Sequence, residues 1–133
     1  MIRHRIAACA VLLTWATVSP AIWAGDDPVP PVKPSNPYPQ ILSPDKFDHP
    51  ILKRAYAAAD RRKAVVAQLP CYCWCSRMGH RSLLDCFASN HGANCDICIK
   101  EVFLADDMLQ KGRTAAEIRA AVIRKDYEKI QLK

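Results

Sequence analysis

Long apolar runs are scarce in this sequence. The longest, Ile6–Val18 near the N-terminus, falls short of the roughly 18 residues a membrane-spanning helix needs. No segment of useful length alternates apolar and polar residues, which argues against a half-buried β-sheet, and no internal repeat points to a solenoid. Glycine is sparse at four residues, none arranged as a phosphate-cradling loop. H-E-x-x-H and a nucleophile elbow are missing too, so no enzyme constellation stands out and no enzyme is expected, with thiol redox chemistry left open. Aromatic residues make up 8% of the chain and do not interleave with basic residues, so the sequence lacks the stacking-plus-charge pattern of a nucleic-acid surface.

What is present begins with a leader. A basic start, Met1 to Arg5, precedes the apolar run and then small residues leading to Ile22-Trp23-Ala24 before Gly25. This is the order of a secretory signal, with cleavage expected after Ala24 and retention as an anchor as the alternative. Cys9 precedes most of the apolar run, which leaves no room for a lipoprotein signal upstream of it. Loss of Arg3 and Arg5 leaves 17 of the 19 basic residues against 13 acidic ones, a mild excess of +4 read as a solvated surface. The expectation is a periplasmic or extracellular protein with no transmembrane span once the signal is cleaved and no nucleic-acid partner.

Eight of the ten prolines fall between residues 26 and 50. Proline removes backbone donors and fixes φ, so residues 25–50 read as an extended, semi-rigid linker. The composition changes at Ile51, and residues 51–133 read as one small all-α domain of about four helices with a cysteine-rich loop. The first helix is expected from Ile51 to Leu69, where apolar side chains recur at helical spacing and Pro70 follows. Ser82-Leu83-Leu84-Asp85 has capping-box form and starts a short second helix that Asn90, His91 and Gly92 stop. Asn94 or Asp96 caps a third that runs through Ile97 to Lys111, where Gly112 ends it, and a second capping box at Thr114–Glu117 opens a fourth with Ile118, Ala121, Val122 and Tyr127 on its apolar face.

Chemistry concentrates in CYCWCSRMGHRSLLDCFASNHGANCDIC, residues 71–98. Loss of Cys9 with the leader leaves six cysteines, all in this segment, accompanied by His80 and His91. In an extended or turn-like chain Cys71, Cys73 and Cys75 place their sulfurs on one face, with Tyr72 and Trp74 on the other. A disulfide between cysteines two apart closes a strained ring, so these three are expected to pair elsewhere or to bind metal. Cys95 and Cys98 form a C-x-x-C at a helix start, where free amides favour thiolate. Haem attachment is excluded by isoleucine at 99, and a thioredoxin-like role lacks its βαβ context.

Thiolates select copper(I) and zinc, and imidazole suits zinc and copper. The candidate metal ligands are therefore Cys71, Cys73, Cys75, His80, Cys86, His91, Cys95 and Cys98, and the expected cofactor is a copper or zinc ion. Met78 is weighed as a thioether ligand against packing or exposure, and Trp74 and Phe87 as the hydrophobic cover of the site. Three disulfides, with 15 pairings open to six cysteines, would instead make a stapled helical interaction domain, and a thiol oxidoreductase acting through Cys95 and Cys98 is a further alternative.

The residues Pro70-Cys71-Tyr72-Cys73-Trp74-Cys75, followed by Gly79-His80, Ser82-Leu83, Cys86-Phe87, His91, Cys95-x-x-Cys98, Glu101, Glu117-Ile118-Arg119 and Tyr127, resemble a family. It is that of the bacterial exported proteins, many of them lipoproteins, with a PCYCGC motif. Trp74 stands where the motif has glycine. The family is functionally undefined, so the resemblance implies export and the motif's boundaries without a substrate. The function expected is exported soft-metal binding in buffering, delivery or sensing, with an exported or membrane protein as partner.

Overall fold

The computed structural model describes residues 32–73 and 75–133. The leader, the start of the proline-rich segment and Trp74 lie outside the described residues. The described part is all-α, as the periodicity predicts, with short 3-10 turns between four α-helices and no strand among the described residues.

Helix α1 (Pro50–Arg61) starts where proline occupies the first turn, its missing N–H costing nothing there, and His49 Nδ1 accepts the Ile51 N–H at 3.3 Å. Its buried face is Ala55, Tyr56, Ala58 and Ala59, small apart from the tyrosine, which lets the helix Asp96–Gln110 pack closely. The expected single helix to Leu69 is corrected. It breaks at Arg62 (φ -109°, ψ 17°), and a short α2 (Lys63–Val66) follows. The break swings Val66 and Leu69 into the core. It also lets Arg61 and Arg62 both reach Asp106 on the third helix, at 3.2 and 2.8 Å.

Helix α3 (Asp96–Gln110) is the spine of the domain, burying Cys98, Ile99, Glu101, Val102, Leu104 and Ala105. It ends before Gly112, whose φ of +75° is the left-handed conformation that glycine adopts without strain. Helix α4 (Ala115–Ile123) opens on the predicted box: Glu117 N–H to Thr114 Oγ1 at 3.3 Å, and Thr114 N–H to Glu117 Oε2 at 2.8 Å. Tyr127 does not extend α4. The chain passes through Lys125 in a left-handed conformation and buries Tyr127 in the 3-10 turn Asp126–Lys129.

The second predicted helix is a 3-10 turn, Leu83–Ala88, that buries Leu83, Leu84, Cys86 and Phe87. Tyr56 anchors the core beside it. Its ring lies 4.1 Å from that of Phe47 and 5.0 Å edge-on from that of Phe87. Its hydroxyl donates to the Ser89 carbonyl at 2.7 Å and accepts the Ala93 N–H at 3.0 Å, and burial raises the phenol to about 12, so it stays neutral. The later part of the proline-rich segment joins this body: Leu42 N–H donates to the Phe87 carbonyl at 3.0 Å and Phe47 is buried. No helix among the described residues is long and apolar enough to cross a membrane.

Candidate metal centre

The cysteine-rich loop follows Leu69, just beyond α2, and is closed by a hydrogen bond from Leu83 N–H to the Leu69 carbonyl at 2.9 Å. This clasp brings Cys71–Cys75 against the turn that carries Cys86. The chain takes the turn-like form of the two expected, bending at Tyr72 and Cys73 and entering a 3-10 turn at Cys75–Met78. Asp85 fixes the next turn by accepting the Arg81 and Ser82 N–H groups at 2.7 and 3.1 Å, and Cys86 follows it directly. On the far side Gly92 packs so tightly that a Cβ would sit 3.0 Å from the Cys86 carbonyl oxygen and 3.3 Å from the Phe87 ring. That approach brings His91 to the sulfurs. Cys98 comes from the first turn of α3 and is fully buried.

The result is a dense donor cluster. Cys71 Sγ lies 3.2 Å from Cys73, 3.4 Å from Cys75 and 3.5 Å from Cys98, and Cys73 is 3.4 Å from Cys98. Cys75 is 3.4 Å from Cys86 and 3.0 Å from His91 Nε2, while His80 Nδ1 is 3.3 Å from Cys86. Three overlapping groups could each hold a metal ion, with all donor atoms within 4.8 Å of one another: Cys71, Cys75, Cys86 and Cys98; Cys73, Cys75, His91 and Cys98; Cys75, His80, Cys86 and His91. A tetrahedral ion with bonds of about 2.3 Å to sulfur sets its sulfurs about 3.8 Å apart, so these sulfur pairs need to spread by only a few tenths of an ångström, and Cys73 and Cys75, which approach more closely, must separate further.

Seven of the eight sequence-predicted ligands thus meet. Cys95 belongs to none of the three groups; it occupies the N-cap position of α3 as a half-exposed free thiol that makes no capping hydrogen bond. Met78 is 56% exposed on the outside of its turn, and Phe87 lies in the core against Tyr56. One pairing differs from expectation. The Cys73 and Cys75 sulfurs lie at disulfide distance, with Cα atoms 5.5 Å apart, because the bend at Cys73 brings neighbours in sequence together as an extended chain does not. Cys71, Cys86, Cys95 and Cys98 are free.

Electrostatics favour one ready thiolate. Hydrogen bonds from the Cys86 and Cys98 thiols hold Cys71 down at about 3, and the same contacts push Cys86 and Cys98 up, so Cys71 loses its proton first. Behind it lies Glu101, fully buried, with Oε1 accepting the Tyr72 N–H at 3.0 Å and Oε2 without a hydrogen bond. Desolvation, reinforced by the charge of Cys71, raises its carboxyl to about 10, so it is neutral at pH 7. Glu101 was not among the predicted ligands. The signal for it was an acidic residue three positions after Cys98, on the apolar stripe of α3. Solvent reaches the cluster through a cavity of about 320 Å³ lined in part by Pro70, Cys71, Tyr72, Cys75 and His80.

The model of a family described as "Protein of unknown function with PCYCGC motif" matches residues 35–130. The chain belongs to that family, and the match extends well beyond the motif on both sides. No curated protein and no solved structure matches it.

Proposed function

We propose that this is an exported soft-metal-binding protein, holding copper(I) or zinc for buffering, delivery or sensing outside the cytoplasm. The observation that carries this reading is the convergence of five sulfurs and two imidazole nitrogens from three separate stretches of chain into overlapping groups no wider than 4.8 Å. Thiolate-rich, imidazole-assisted sites suit these soft and borderline ions rather than magnesium or calcium, which take oxygen ligands. Export rests on the leader, and a cleaved N-terminus at Gly25 in protein recovered from the periplasm or medium is the expected result.

The test is elemental analysis with mass spectrometry under non-denaturing conditions, on protein purified anaerobically from its own compartment. Bound copper or zinc with reduced ligand thiols is expected. Three disulfides and no metal would overturn the proposal and leave the stapled interaction domain, a rival that the Cys73–Cys75 pair at disulfide distance supports.

A further inference from the structure

We infer that the cluster takes two divalent ions at once, joined through the Cys75 thiolate. Cys71, Cys73, Cys75 and Cys98 hold one ion, and Cys75, His80, Cys86 and His91 hold the other. The inference rests on the metal-binding reading above and adds the charge class of the ion, the stoichiometry and the bridge.

Seven donors exceed what one four-coordinate ion uses. His80 shares close approach only with Cys75, Cys86 and His91, which determines the membership of its set. The three donors left over, Cys71, Cys73 and Cys98, are 3.2 to 3.5 Å from one another. They need one more ligand, and Cys75 lies 3.4 Å from Cys71 and shares a group with each of the three. Cys75 is the residue common to all three groups, and it is 1% exposed, at the centre of the cluster. A thiolate has lone pairs for two ions, whereas an imidazole nitrogen has one, so His91 belongs to a single ion although it stands near both. Counting Cys75 twice gives each ion four ligands.

For a site holding two ions, charge selects their class. Five thiolates with two divalent ions leave a net charge of -1, and with two monovalent ions a net charge of -3. The cost of burying charge grows as its square, so the monovalent pair costs about nine times the self-energy in a site whose Cys75, Cys86 and Cys98 are buried. On loading, two hydrated divalent ions displace whatever protons the five thiols still carry, and these pass to solvent. No electrons move, because Cys73 and Cys75 enter as thiols after reduction.

The experiment is an anaerobic titration of the full chain, reduced with a phosphine, using zinc followed by non-denaturing mass spectrometry and cadmium-113 followed by NMR. Saturation at two ions per chain is expected, with one all-sulfur and one mixed sulfur–nitrogen cadmium resonance, each split by the other through Cys75. His80→Ala should fall from two ions to one and keep the all-sulfur resonance, with unchanged helical circular dichroism showing that it folds. Cys75→Ser should abolish the splitting. Saturation at one ion, two uncoupled resonances, or preferential loading with four copper(I) ions would overturn the bridged pair while leaving metal binding intact. A chain that takes up neither zinc, cadmium nor copper(I) would overturn both.

Discussion

Replacing Tyr56 with phenylalanine deletes one oxygen atom and tests how the core holds the metal centre. The ring keeps its packing against Phe47 and Phe87, so the hydrophobic contribution is unchanged. Two hydrogen bonds are lost, to the Ser89 carbonyl at 2.7 Å and from the Ala93 N–H at 3.0 Å. Each contributes about 1 kcal/mol net. The Ser89 carbonyl belongs to an exposed residue and can rehydrate, but the Ala93 amide is half-buried and gains at most a partial replacement. The expected loss is therefore about 2 to 3 kcal/mol, a large share of a small domain's stability. Urea unfolding of the reduced, metal-free chain measures it, and the m-value should stay the same because the buried surface does. His91 lies between the two anchored residues, so the ion it ligates should also bind about tenfold more weakly, the equivalent of about 1.4 kcal/mol spent on re-ordering that turn. A stability loss below about 0.5 kcal/mol, or an unchanged affinity, would refute the view that Tyr56 positions the 89–93 segment.

Gly92→Ala places a methyl group 3.0 Å from a backbone oxygen that cannot move cheaply, so a loss of about 1 to 3 kcal/mol is expected in thermal or urea melts. Gly112→Ala meets nothing within 4 Å and should lose only the roughly 1 kcal/mol of its left-handed backbone. Glu101→Gln should stabilise the reduced, metal-free chain at pH 7 by up to about 3 kcal/mol, because a carboxyl held near 10 in the folded state and near 4.5 in the unfolded one binds its proton more tightly when folded. Its contribution is greatest below pH 4.5 and is lost as pH rises towards 10, so the advantage of the glutamine variant should shrink at pH 5 and widen at pH 8. A difference independent of pH would contradict this. Thr114→Ala removes the α4 capping box and should cost about 1 kcal/mol in the same melts while leaving metal uptake unaltered, since α4 supplies no donor.

Much of this protein is readable locally. Helical spacing, the Thr114–Glu117 box and the Gly112 stop gave α3 and the start of α4 nearly to the residue, because capping and propensity act over one or two turns. The break at Arg62 was not readable, since the contact it accompanies, with Asp106, spans 44 positions. The 3-10 character of Leu83–Ala88 was also hidden, as Asp85 caps that turn as it would an α-helix. Among the ligands, residue type and clustering nominated the donors, and distance along the chain could not separate Cys95 from Cys98.

By itself the sequence determined the helical class, the family and the chemical identity of the donors, because these rest on residue type and short-range spacing. The tertiary structure alone decided which donors meet. Cys98 turns inward with the buried face of α3 while Cys95 remains at its cap, the Leu69–Leu83 clasp folds the motif back onto Cys86, and Gly92 lets His91 approach. Those outcomes depend on packing between segments distant in sequence, which no local pattern encodes.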